Sequence, residues 1–293
     1  MKQAFRHDKI TGKRADQIGL INEILEEYDG QGYVLTLRQL YYQLVGRGII
    51  ANEVREYTKV MKTLTMGRMN GLIDWDMIED RSRRPHMDYA VLGISDALQD
   101  TLNQYKLDRQ AGQEWNIEIW TEKDAVSNIL MRVSRYYHLR LSINRGYTSC
   151  SAMYIAYERI RRQTALNGRN TKILYVGDHD PSGLDMIRDI VARFFEFEIA
   201  HAVEIIPVAL TMAQIEEYNP PPNPAKINDP RASQYIAEHG DESWELDALE
   251  PEVLRSITEE AVKEHLDQDL FDSVLSQEES DKIRLEEIIT DEV

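Results

Sequence analysis

Cysteine is almost missing: one residue of 293, Cys150. A single thiol cannot build a disulfide framework. Cys150 follows Ser149 in an expected loop and reads as structural. No Cys/His cluster has zinc-finger spacing. No run approaches the roughly 18 apolar residues of a membrane span. The opening stretch, MKQAFRHDKITGKR, lacks the apolar core of a signal peptide, so a cytoplasmic location is expected. There is no Walker A sequence and no internal repeat. Basic charge is also short, 34 Lys and Arg against 51 Asp and Glu, a net charge of −17. Such a balance weighs against binding to a phosphate backbone.

The distribution of that charge removes most of the objection. Residues 1–115 hold 16 basic and 17 acidic side chains, residues 116–215 hold 12 and 11, and residues 216–293 hold 6 and 23. The acidic excess therefore belongs to the C-terminal quarter. Local basic groups remain upstream: Arg81, Arg83 and Arg84, and the cluster Arg159, Arg161, Arg162, Arg169 and Lys172.

Residues 173–183, ILYVGDHDPSG, carry the most information. Ile173 to Val176 reads as a buried strand. Asp178 and Asp180 follow at its carboxyl end, and Pro181-Ser182-Gly183 turns the chain into a helix. Residues i and i+2 of an extended chain point the same way, so the two acids can share one hard cation. The plainer alternative is a helix N-cap in a solvated turn. A second apolar strand, IEIWT at 117–121, ends in Glu122-Lys123-Asp124, and an amphipathic helix follows. Strand–Glu, then strand–Asp-x-Asp-x-x-Gly, with a helix and strand between, resembles the Toprim fold of topoisomerases, bacterial primases and some nucleases.

The form GDHDPSG narrows the resemblance to the A subunit of topoisomerase VI and the related meiotic double-strand-break transesterase. Those proteins carry a winged-helix domain before the Toprim domain, with the DNA-attacking tyrosine in a motif close to R-[DE]-[ILV]-[YF]-Y. Here Arg38-Gln39-Leu40-Tyr41-Tyr42 stands in that place, with Gln39 where the family has an acid. In length the chain is most similar to the stand-alone mini-A relatives of bacteria and phages.

Periodicity predicts helices over 13–28, 37–47 (capped by Thr36) and 54–70, then a turn and short wing in GLIDWDMIED and a bridging helix over 95–110. Helix, helix, basic helix and wing make a winged helix, whose third helix would present Lys59, Lys62 and Arg68 to the major groove. Alternating strands and helices over 116–215 predict a mainly parallel sheet. YNPPPNP at 218–224 reads as a linker, and the rest as acidic helix. The expected fold is α/β: a winged-helix domain (1–115), a Toprim domain (116–215) and an acidic helical extension (216–293). The extension is expected to stay off DNA; its stripe Val253, Leu254, Ile257, Val262 is a candidate dimer contact.

The resemblance implies DNA cleavage by transesterification. Tyr42 would attack a backbone phosphate, leaving a 5′-phosphotyrosyl bond, while Tyr41 packs. Arg38, one helical turn from Tyr42, would activate it and hold phosphate. Glu122, Asp178 and Asp180 would hold Mg²⁺, with Mn²⁺ able to substitute, and Lys123 would contact phosphate or offset the acids. A homodimer is implied, the tyrosine of one subunit working with the acids of the other. ATP-driven strand passage would need a separate GHKL-type ATPase (a B-type subunit), since the chain has no such region. The competing expectations are a hydrolytic Toprim nuclease with water as nucleophile, and a DNA-binding protein whose Toprim site is structural.

Overall fold

Helix α1 (Lys13–Gly30) buries Ile18, Ile21, Ile24, Leu25 and Tyr28, one stripe at three- and four-residue spacing. A two-residue strand β1 (Leu35–Thr36) leads into α2 (Leu37–Gly46), the helix of the tyrosine pair. The Gln39 amide donates to the Thr36 hydroxyl at 3.3 Å, and the Thr36 amide donates to the Gln39 side-chain oxygen at 2.8 Å. Gln39 thus closes a reciprocal capping box, which needs an acceptor but no charge. Helix α3 (Val54–Met69) packs on α1. Strand β2 (Ile78–Glu79) pairs in parallel with β1, Leu35 opposite Ile78. This pair is what the described residues show of the expected wing. The computed structural model describes residues 2–79, 90–144, 150–225 and 231–292, so Arg81, Arg83 and Arg84 lie outside the described residues. Helix α4 (Ile94–Gln104) stops earlier than its pattern suggests, because Tyr105 turns extended.

Strands and helices then alternate: β3 (Asn116–Thr121), α5 (Ser127–Tyr137), β4 (Arg140–Ile143), α6 (Cys150–Asn167), β5 (Thr171–Val176), α7 (Pro181–Glu196) and β6 (Val203–Ala209). The four strands form one parallel sheet in the order β4-β3-β5-β6, with Thr121 level with Val176. Parallel strands need crossovers, and helices on both faces supply them. Side-chain alternation divides the core between those faces. Ile117, Ile119, Leu174 and Val176 meet Ile129, Leu130 and Val133 of α5. Trp120, Ile173 and Tyr175 meet Met153 and Ile160 of α6 and Met186, Ile190 and Phe194 of α7.

The C-terminal part folds back on this sheet. It comprises α8 (Met212–Tyr218), β7 (Asn223–Pro224), α9 (Ala232–His239), β8 (Glu242–Ser243), α10 (Pro251–Glu264) and α11 (Gln268–Glu292). Strands β7 and β8 pair antiparallel, which ties the proline-rich stretch to the segment before α10. Leu254 and Val262 of α10 are fully buried in the core that holds Ile119 and Val176, with Val253 and Ile257 packed against it. The stripe expected as a dimer contact is therefore spent on the chain's own sheet. No helix among the described residues is long and apolar enough to cross a membrane.

Candidate active site

Because β3 and β5 are neighbours, their carboxyl ends deliver Glu122, Lys123 and Asp178 side by side. The Asp178 amide lies 3.5 Å from a Glu122 carboxylate oxygen. Burial, followed by the charges of Asp178 and Asp180, pushes Glu122 up to about 7. Asp180 caps α7: its Oδ1 accepts from the Gly183 amide at 2.7 Å and from the Ser182 hydroxyl at 2.8 Å. The N-cap role and the proximity to Glu122 thus hold together for Asp180. Pro181 sits at the first helical position, where its missing N–H costs nothing. Gly183 lies against the Asp178 carbonyl: a Cβ there would stand 2.3 Å from that oxygen.

Lys123 is the centre of the cluster. Its ammonium lies 2.7 Å from Asp178, 2.8 Å from Glu245 and 2.8 Å from Asp247. Burial alone would lower this lysine; the charges of Asp247 and Asp178 outweigh it and hold the group above its ordinary range. Asp178 is also held above its ordinary range, by burial first, with Lys123 pulling it back down. Its Oδ1 also accepts from the Leu246 amide at 2.7 Å.

Glu245 and Asp247 were not among the expected site residues. They arrive on the segment 241–249, held to the β5 turn by an antiparallel bridge between His179 and Trp244, with amide-to-carbonyl distances of 2.9 and 3.0 Å. His179 is itself anchored, its Nδ1 2.9 Å from the Tyr235 hydroxyl. The alternation Trp244-Glu245-Leu246-Asp247 is the sequence signal that could have found them. Two apolar residues alternate there with two acids, in a tail otherwise patterned as helix.

Helix α2 joins the same cluster. The Arg38 guanidinium pairs with Glu245 and reaches Asp247 at 3.0 Å. Its central carbon lies 5.9 Å from the centroid of the Tyr42 ring, one turn along the helix. Both tyrosines are buried, Tyr41 at 5% and Tyr42 at 4% exposure. Their rings pack edge to face at 5.4 Å. The Tyr41 hydroxyl donates to Asn52, Asn52 donates to the Asn223 side chain at 2.6 Å, and Asn223 donates to the Tyr42 hydroxyl at 3.1 Å. Burial pushes Tyr42 above its ordinary range, although the Asn223 hydrogen bond and the nearby Arg38 and Lys123 pull it down. Tyr42 also lines a cleft of about 390 Å³ with Arg47, Pro220, Pro221 and Glu250.

The residues expected on DNA separate. Lys59 and Lys62 are exposed and line a cleft of about 380 Å³ between α1 and α3, together with Lys13 and Arg14. Lys59 also pairs with Glu56 at 2.6 Å. Arg68 turns inward instead: it donates to the carbonyls of Trp75 and Ile78 and lies 4.7 Å above the Trp75 ring. The guanidinium therefore serves the backbone of the segment after α3. The second basic cluster is likewise engaged: Arg159 with buried Glu118, Arg161 and Arg162 with Glu158, Arg169 with the Gln110 carbonyl, and Lys172 with Glu204.

As a donor set, Glu122, Asp178 and Asp180 suit a hard divalent cation in oxygen type. Their geometry is not that of a cage. Among the described residues no three His, Cys, Asp or Glu side chains are arranged to hold a metal ion. Asp178 is turned to Lys123, and one Asp180 oxygen is committed to its cap. No protein-family model matches the chain, and no curated protein matches it.

Proposed function

We propose that the chain is a Mg²⁺-dependent DNA-cleaving transesterase with a winged-helix unit and a Toprim-type sheet, similar to the A subunit of type IIB topoisomerases. One observation carries the reading. Arg38 and Tyr42 of α2 join Lys123 and the acids at the carboxyl ends of β3 and β5 in a single charged cluster. In this reading Arg38 and Lys123 orient the scissile phosphate, and both are held above their ordinary pKa, hence permanently charged. The Tyr42 oxygen bonds to phosphorus, the P–O3′ bond breaks, and the 3′-hydroxyl leaves with a proton. Glu122, Asp178 and Asp180 would hold Mg²⁺, which supplies Lewis-acid stabilisation of the phosphate charge. Lys59 and Lys62, with Lys13 and Arg14, take the duplex backbone. The resemblance implies a homodimer that pairs the tyrosine of one subunit with the acids of the other, whereas this cluster joins them within one chain; a homodimer and, for strand passage, a separate GHKL-type ATPase subunit are proposed with the same reading.

Asn223 covers the Tyr42 hydroxyl, so the proline-rich stretch must withdraw before attack. That burial is also the observation favouring the second reading, a hydrolytic nuclease in which water attacks and Tyr42 packs. A denaturing gel of labelled duplex DNA with Mg²⁺ or Mn²⁺ separates the two. The expected result is a covalent protein–DNA adduct that disappears in Tyr42→Phe and persists in Tyr41→Phe. If Tyr42→Phe still cuts DNA while Asp178→Ala does not, water is the nucleophile and the transesterase reading fails.

A further inference from the structure

The extension that follows the sheet covers both chemical groups of the tyrosine helix. Asn223, in the proline-rich stretch, donates to the Tyr42 hydroxyl at 3.1 Å. Glu245 pairs with the Arg38 guanidinium, and the same carboxylate oxygen lies 2.8 Å from the Lys123 ammonium. An oxygen that bridges a guanidinium and an ammonium makes the contact a DNA phosphate oxygen would make there. The two covers belong to one unit. Strands β7 and β8 set Asn223 opposite Ser243, whose hydroxyl donates to the Asn223 carbonyl at 3.3 Å, and Glu245 follows two residues on.

Both covers can open without stranding a charge. Pro220, Pro221, Pro222 and Pro224 have no amide hydrogen, so the stretch offers few backbone donors to what it covers. Pro222 and Pro224 are exposed. Asn52 holds the stretch by side-chain bonds, at 2.6 Å to Asn223 and 3.0 Å to the Pro222 carbonyl. Glu245 and Arg38 keep 19% and 45% of their side-chain surface in water, so each is already partly solvated when they part. Asp247, at 0%, is the fixed counter-ion: when Arg38 leaves it, the Lys123 ammonium still stands 2.8 Å away.

We propose that residues 220–225 and 241–245 form an autoinhibitory latch, in which Asn223 covers the nucleophile and Glu245 stands in for the DNA phosphate. This rests on the transesterase reading and accounts for the arrangement within one chain. For the tyrosine of one subunit to work with the acids of the other, Tyr42 and Arg38 must first let go of their own extension. The closed cluster is therefore the resting state. Duplex DNA opens it, because its phosphates compete with Glu245 for Arg38 and Lys123.

Three readouts on the full chain test the latch: nitration of Tyr42 by tetranitromethane without DNA, mapped by mass spectrometry; affinity for labelled duplex DNA; and adduct formation with Mg²⁺ or Mn²⁺. Each variant is first shown to be folded by circular dichroism. In Asn223→Ala, Tyr42 nitration and adduct formation should both rise about 2- to 10-fold, as expected for the loss of one neutral hydrogen bond. In Glu245→Gln, DNA affinity should rise severalfold and adduct should form faster. Glu242→Gln makes the same charge change at an exposed neighbour and should behave as the wild type. Unchanged nitration in Asn223→Ala overturns the proposal, as does a Glu245→Gln chain that binds DNA no tighter than Glu242→Gln. Affinity and rate falling together in Glu245→Gln would make the contact structural and overturn it too. If Asn223→Ala does not fold, Asn223→Ser is read in its place by the same criteria. Faster nitration and tighter binding with no adduct from any chain, wild type included, would overturn the transesterase reading and leave the latch standing as a gate on DNA binding.

Discussion

Gly183 is the point at which the motif can be tested as geometry. Adding a single methyl group, Gly183→Ala, puts a Cβ 2.3 Å from the Asp178 carbonyl oxygen and 3.1 Å from its carbon. Ordinary carbon–oxygen contact begins near 3.4 Å, so the carbonyl must retreat by about 1 Å. The obstacle is backbone, which cannot swing aside as a side-chain tip can. A 1 Å shift of Asp178 lengthens its 2.7 Å contacts with Lys123 and the Leu246 amide beyond hydrogen-bond range. Overpacking of this kind costs about 1–3 kcal/mol, and weakening a bond to a charged group adds about 1.5–3 kcal/mol. Alanine returns at most about 1 kcal/mol of helix propensity. The net expectation is a loss of about 1.5–5 kcal/mol, or about 3–10 °C in Tm at about 2 °C per kcal/mol. Thermal unfolding followed by circular dichroism measures it, and the gel for DNA adducts gives the second readout. A variant that melts within about 1 °C of the wild type and forms adduct at the same rate would show that the Asp178 turn is not held as described.

The parallel sheet was legible because its signals are local. Apolar runs at 117–121 and 173–176 end in acids, and helices with clear periodicity separate them, so β3, β5 and their crossovers follow from short stretches of chain. Thr36 as a cap was legible for the same reason. The β1–β2 pair was not: two residues contribute to each strand, and the partners lie over 40 positions apart. At the site, Glu122, Lys123 and Asp178 were legible as strand ends, because a parallel sheet places consecutive carboxyl ends together. Asp247 and Glu245 were hidden by composition. An acidic tail looks solvated when each acid is read alone, and only the long-range bridge between His179 and Trp244 brings these two under Arg38. Asn223 was hidden in the proline-rich stretch, whose residues exclude helix without revealing what they cover. Arg68 misled because helical phase tells which face a residue leaves from, while a long side chain can turn back onto backbone carbonyls.

The basic cleft between α1 and α3 should report phosphate contact directly. Lys62→Ala should weaken DNA binding uniformly across sequences and reduce the salt slope by about one, measured by fluorescence anisotropy between low and high salt; an unchanged slope would remove α3 from the interface. The pH dependence of stability should be read at Glu278 of α11. Arg109 donates to it at 2.7 and 3.1 Å, Lys282 at 2.9 Å and the Leu107 amide at 3.1 Å. These bonds, that of Arg109 first, hold the carboxylate down at about 2, from an ordinary 4.5. A folded pKa below the unfolded one means that the contribution is complete above about pH 4.5 and is lost as the pH falls from there toward 2. The difference of 4.5 − 2 = 2.5 corresponds to about 3 kcal/mol at neutral pH and roughly half that at pH 3. Glu278→Gln should therefore be less stable than the wild type at pH 7, and the gap in urea midpoint should narrow by about half at pH 3. A gap that stays constant from pH 7 to pH 3 would mean that the Arg109–Glu278 pair holds α11 by shape and not by charge.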